Sequence, residues 1–199
     1  NYGASLNDVW TYDLVSNEWT IVGNEGGNAP VARYSHTAVS WIDTNDNNKP
    51  KMTIFGGVSK GGIISNIVWT LHLNGNGEWI KNDVSGSISS PERHSHIAVS
   101  WIDTTSSDSI PKMTIYGGID TTKPTESLLN DVVEYNLLNN VWTQKIIYKH
   151  TDPGLYDHIG SLLSGKVYVL GGMNNRGGEK KGISIDLTNY NIIKMTAND

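Results

Sequence analysis

Apolar positions along this 199-residue chain fall in short runs of strand length, and no window sustains a 3.6-residue period. Leu6–Leu14 (LNDVWTYDL) reads as a strand rich in aromatic and branched residues, and Trp19–Val22 as a second after the turn cluster Ser16-Asn17-Glu18. Gly23 stops that strand, and Gly26, Gly27, Asn28 and Pro30 mark a surface loop. His36–Ile42 is almost wholly apolar, as expected of a strand covered on both faces, and Asp43–Lys49 is a polar hairpin loop. Lys51–Phe55 returns as the next strand and ends at Gly56-Gly57. Helix content is expected to be near nil.

The chain then writes the cycle again. SHTAVSWIDT at Ser35–Thr44 and SHIAVSWIDT at Ser95–Thr104 differ only at Thr37 versus Ile97. PKMTIFGG and PKMTIYGG differ only at Phe55 versus Tyr116. A worn third copy, DHIGSLLSGKVYVLGG, spans Asp157–Gly172. The period of roughly 50–60 residues marks a repeat architecture. Asn66-Ile67-Val68-Trp69 stands where Asn7-Asp8-Val9-Trp10 stood, and Asn130-Asp131-Val132-Val133 follows in the next cycle. Trp19, Trp79 and Trp142 close successive units, and Ile192 stands where the last Trp is due.

Diglycine, a small strand, a Tyr, then a Trp about seven residues later resembles the kelch repeat across essentially the whole chain. The resemblance implies an all-β fold: a kelch-type β-propeller segment of four-stranded antiparallel blades packed face to face around an axis. A sheet apolar on both faces needs a sheet on each side, which stacked blades supply. The expected divisions are a half blade at 1–27 and full blades at 28–88, 89–150 and 151–199, about three and a half in all. Propellers usually close with about four to eight blades, so missing sequence or another chain is expected to supply the remainder. The three tryptophans are expected to fill the wedges between blades, and Ile192 to leave the last one underfilled.

Composition narrows the function classes. A net charge of −5 opposes a nucleic-acid binder, and no apolar run approaches the length of a membrane span. Cysteine is absent, which removes disulfides, thiolate nucleophiles and thiolate metal ligands within these residues. No Asn-x-Ser/Thr sequon occurs, and both absences lean towards a cytoplasmic setting, a pattern that an unglycosylated prokaryotic source shares.

Four constellations invite chemistry. The arginines Arg33, Arg93 and Arg176 all fall on the face that carries the second-to-third and fourth-to-first strand loops. In kelch domains that bind acidic peptides, arginines at the position of Arg33 and Arg93 line the mouth of the central channel. The resemblance therefore implies a binding face of Arg33, Tyr34, Arg93, His94, Asn174, Asn175 and Arg176 for a protein or acidic peptide, because the planar guanidinium grips carboxylates. The competing reading is that Arg33 and Arg93 brace neighbouring loops, with Glu25, Glu92, Asp120 and Glu126 on the same face to neutralise them. His36, His96 and His158 align on successive blades, too far apart for one ion's roughly 2 Å bonds, and are expected to be hydrogen-bonded structural groups. Asp43-x-Asn45-x-Asn47 lacks the Gly and Glu of a calcium loop, and GGVSKGG and GGMNNRGG open no helix, so neither a metal nor a phosphate is implied.

The leading expectation is a non-catalytic interaction module without cofactor. One alternative is a fragment of a galactose-oxidase-like enzyme, whose Tyr–Cys cofactor these residues cannot form without Cys. Another is a carbohydrate-binding propeller using exposed rings, with Trp41 and Trp101 as its candidates.

Overall fold

A computed structural model describes residues 5–22, 28–73, 77–86, 88, 90, 92–121, 127–146, 154–175, 177–178 and 182–195, and every regular element among them is a strand. Three four-stranded antiparallel sheets carry the fold. Blade I is Thr37–Asp43, Lys49–Phe55, Val68–His72 and Glu78–Lys81, paired in chain order. Blade II is Ile97–Asp103, Ile110–Tyr116, Val132–Asn136 and Val141–Ile146, with Ser85–Gly86 added in parallel along its outer strand. Blade III is Ile159–Leu163, Lys166–Leu170, Ile183–Asp186 and Ile192–Lys194. Val9–Tyr12 and Trp19–Val22 form the two-stranded half blade that the sequence implies. No helix among the described residues is long and apolar enough to cross a membrane.

The first strands of blades I, II and III lie side by side, which puts them innermost. Ser100 Oγ donates to the Ser40 carbonyl at 2.8 Å, tying two of these strands together at equivalent residues. The core is divided among the seams between blades, as stacked sheets require. Between blades I and II, Trp142 is 1% exposed and meets Phe55 edge-on at 5.0 Å and Tyr135 at 4.8 Å. Between blades II and III, Ile97, Val99, Tyr116 and Val132 pack on Val167, Val169 and Ile185. Between the half blade and blade I, Trp79 packs on Ile54 and Leu71, with Val9 at the edge.

Trp79 and Trp142 thus each fill the wedge towards the blade before them. Trp19 departs from the expected role: it is 65% exposed, with Tyr12 against its ring at 5.0 Å and no further sheet packed on it among the described residues. The last wedge also departs from expectation. Ile192 is half-buried there, and Tyr190 packs beside it, so an aromatic ring enters the seam from the turn instead of the strand.

The seams explain the diglycines. Gly57 N–H donates to the Arg93 carbonyl at 2.9 Å, and Gly118 N–H to the Leu155 carbonyl at 2.8 Å, so one blade's backbone bonds directly to the next. A Cβ on Gly56 would stand 2.5 Å from the Arg93 oxygen and 2.7 Å from His96 Cε1. On Gly117 it would meet the Leu155 oxygen at 2.7 Å and His158 Cε1 at 2.9 Å. Gly171, at the same place in blade III, has open space around its Cβ position. All three share a left-handed φ of 69–72° (Gly56 72°, Gly117 70°, Gly171 69°), so the backbone strain of a side chain is common to them and the clash is not.

Gly56→Ala is therefore expected to cost at least about 3 kcal/mol, by strain plus backbone collision, and Gly171→Ala about 1 kcal/mol, by strain alone. Urea denaturation of the two variants checks the difference; equal losses would show that the seam does not depend on the glycine contact.

Candidate functional site

The short segments entering each blade repeat one design at the mouth of the inner strands. Arg33–Tyr34 pairs with Val58–Ser59, which pairs in turn with Ile63–Ile64. His94 bridges to Ile119, whose strand Ile119–Asp120 pairs with Ser127–Leu128. Tyr156 bridges to Met173, whose strand Met173–Asn174 pairs with Gly177–Gly178. Directly after each ring comes a residue in the left-handed region: Ser35 at φ 55°, Ser95 at 55° and Asp157 at 53°. Such a conformation is uncommon outside glycine and persists where its surroundings hold it. Here the hold is a chain of backbone bonds from blade to blade, with Ser95 N–H on the Ser35 carbonyl at 3.0 Å and Asp157 N–H on the Ser95 carbonyl at 3.1 Å.

Tyr34, His94 and Tyr156 therefore occupy one position of three successive entries. Tyr34 is 56% exposed; His94 and Tyr156 are half-buried. His94 Nδ1 lies 3.2 Å from Ser95 Oγ, and Tyr156 Oη donates to Met173 Sδ at 3.9 Å. Ile63 and Met173 are exposed on the adjoining hairpins, with Lys60 at one tip and half-buried Asn174 beside exposed Asn175 at another. The face is wet, aromatic and rigidly backed.

The arginines point elsewhere. Arg93 is fully buried, and its two terminal nitrogens donate to the Asp131 carboxylate at 2.9 and 2.8 Å, with a further bond to the Gly117 carbonyl at 3.1 Å. Arg33 is also buried; its guanidinium donates to the carbonyls of Gly56 at 2.9 Å and Val31 at 3.2 Å, and burial lowers its pKa. Asp131 has no counterpart in blade I because Ile67 stands there, so Arg33 is held by carbonyls alone. Both side chains fasten a loop to the diglycine of their own blade and present no fork to a partner, which corrects their expected place on the binding face. Arg176, Glu25 and Glu126 lie outside the described residues.

The aligned histidines differ from one another. His96 is buried in the seam with Nε2 at 2.8 Å from Thr37 Oγ1, and burial followed by the Arg93 charge holds its pKa well below the usual value. His158 is buried without the side-chain hydroxyl that serves His96, and burial pushes it down to about 4 against the raising effect of the Tyr116 backbone. The hydroxyl that serves His96 is missing for His158 because Ile97 replaces Thr37, one of the few differences between the twin repeats. His36 is exposed, so it is not the hydrogen-bonded core group expected. Among the described residues no three His, Asp or Glu side chains gather as metal ligands do. The Asp43 carboxylate is taken up by Lys51 at 2.5 Å and by the Asn45 N–H at 2.9 Å. Trp41 and Trp101 spend their indole N–H groups on Thr53 and Thr114, both at 2.9 Å, and carry Lys51 and Lys112 over their rings.

Sequence reasoning missed Tyr156. The entry to blade III reads Gly154-Leu155-Tyr156-Asp157-His158, and the alignment of His158 with His36 and His96 carries the signal that matches Tyr156 to Tyr34.

Comparison with known proteins completes these findings. The family model of the KLHDC2/KLHL20/DRC7 Kelch-repeats domain matches residues 1–172. The dynein alpha chain of the flagellar outer arm of Chlamydomonas reinhardtii is 32% identical over 123 residues, which is 60% of this chain and 2% of the dynein chain. A chain in a cryo-EM structure of RAG in complex with one melted RSS and one unmelted RSS superposes at a TM-score of 0.68 and 13% identity. That match covers 94% of this chain and 58% of the other, and at such identity it speaks to the fold alone.

Removing the Asp131 carboxylate strands a buried guanidinium. Asp131→Ala is expected to cost about 3–5 kcal/mol, and the double change Arg93→Met with Asp131→Leu to recover most of it. Chemical denaturation of both variants checks this; a loss under about 1 kcal/mol for Asp131→Ala would show that the pair is solvated.

Proposed function

Because the chain belongs to the kelch-repeat family, we propose that it is a non-catalytic interaction module that binds a protein or peptide at the mouth of its inner strands. The observation that carries this reading is the threefold recurrence of an exposed or half-exposed ring, Tyr34, His94 and Tyr156, on backbone locked from blade to blade. Amphipathic rings on a rigid base give contact area at low entropic cost, the property that concentrates binding energy at Tyr and Trp in interfaces. Ile63 and Met173 add apolar contact, and Asn174 and Asn175 add amide groups for an extended backbone.

Arg33 and Arg93 act in this reading as braces that fix the loops. An acidic preference in the partner then falls to exposed Lys60 at a hairpin tip. The reading is non-catalytic because the histidines most displaced in pKa, His96 and His158, are walled into the seams, away from the open mouth.

Affinity capture with the double variant Tyr34→Ala/Tyr156→Ala tests the face. Recovery of the partner is expected to fall roughly tenfold or more, consistent with about 2 kcal/mol at an aromatic hot spot, with the unfolding midpoint unchanged. Asp108→Ala, on the opposite face, is expected to leave recovery intact. If the double variant recovers its partner like the unaltered chain, the mouth is not the site.

A further inference from the structure

The repeat lets the two ends of the chain be compared with its interior seams, position by position. In the seam between blades I and II, the forward face of blade I meets the rear face of blade II. Val39, Trp41 and Phe55 supply the first and Val133, Tyr135 and Trp142 the second, all in one buried cluster. A stack of repeats continues by joining one face of each kind.

Blade III and the half blade present one such face each, with no sheet among the described residues packed on it. On blade III, Ser161, Leu163 and Leu170 hold the places of Val39, Trp41 and Phe55, and Leu163 and Leu170 are 63% and 49% exposed. Ile159, opposite Leu170 in the strand register, and Ile193, two strands further out, are exposed on the same side. On the half blade, Trp10, Tyr12 and Trp19 hold the places of Val133, Tyr135 and Trp142, and the register sets Ile21 opposite Trp10. All four are exposed. Large apolar side chains gathered on one sheet face mark a surface that associates.

We propose that the half blade of one copy packs on blade III of a second copy, continuing the stack head to tail. The occupant follows from the seam itself: a forward face takes a rear face, and every copy carries one of each. Trp19 then enters against Leu170 as Trp142 enters against Phe55, whose ring centroids lie 5.0 Å apart. Size supports the match. The forward face of blade III is smaller than that of blade I at all three positions, and the rear face of the half blade keeps Tyr and Trp and gains Trp10 in place of Val133. The contact joins unlike surfaces and is therefore heterologous. It is independent of the mouth and does not rest on the reading given for it.

Sedimentation velocity of the full chain at rising concentration tests the contact. Self-association is expected in about the micromolar range. Trp19→Glu and Leu170→Glu, each on an exposed side chain, are each expected to weaken it at least about tenfold. Mixed together, the two variants are expected to form a one-to-one complex, because each keeps the face that the other lacks. Amide shifts of the unaltered chain over the same concentrations need no variant. They are expected to change in Val9–Tyr12, Trp19–Val22, Ile159–Leu163 and Lys166–Leu170, and not at Tyr34, His94 or Tyr156. A chain that stays monomeric throughout would overturn the proposal and assign the faces to a different polypeptide. Variants that associate as the unaltered chain does, a mixture that forms no complex, or shifts confined to the mouth would overturn it as well.

Discussion

The backbone contact from the diglycine of one blade to the entry of the next is the constraint on which the rest depends. A four-stranded sheet with two apolar faces must be covered twice, and the covering sheets must approach closely enough to exclude water. Gly57 and Gly118 achieve this by bonding to the Arg93 and Leu155 carbonyls, while Gly56 and Gly117 leave room for the incoming histidine. Interblade spacing is thereby set by hydrogen-bond length, and the side chains in the wedges fill the volume that remains. Neighbouring backbone bonds, Ser95 to Ser35 and Asp157 to Ser95, hold the left-handed residues that follow the rings, so the mouth is ordered from blade to blade.

Charge in this fold works mainly inside. Arg93 with Asp131 fastens the loop that enters blade II, and Lys112 with Asp103 and Glu134 joins strands within that blade; all are buried or half-buried. Their placement leaves the mouth with aromatic and amide groups. Ion pairs whose loss is costly thus sit where geometry must not change.

The strand cycle, the half blade and the number of complete blades were legible because the repeat is written twice almost without error. What a side chain does was less legible, because it depends on its neighbours in the adjoining blade. Arg33 and Arg93 share a motif, yet only Arg93 finds a carboxylate, since Asp131 becomes Ile67 one blade earlier. His96 and His158 share a column, yet only His96 meets a hydroxyl, because Thr37 becomes Ile97 one blade later. Trp19 matches Trp79 and Trp142 in sequence and fails to bury because burial belongs to the pair of blades, not to the residue. Tyr190 was hidden for another reason: the aromatic moved from strand to turn, so the strand position read as a deficit while the seam was filled.

Native-state hydrogen exchange tests the central claim most directly. If the seam sets the fold, the amides of Gly57, Ser95, Gly118 and Asp157 exchange only through the opening that releases blade-interior amides such as Ile115, despite lying in connecting segments. Exchange of those four at loop rates, with the blade interiors still protected, would show that the blades stand independently and would contradict the account.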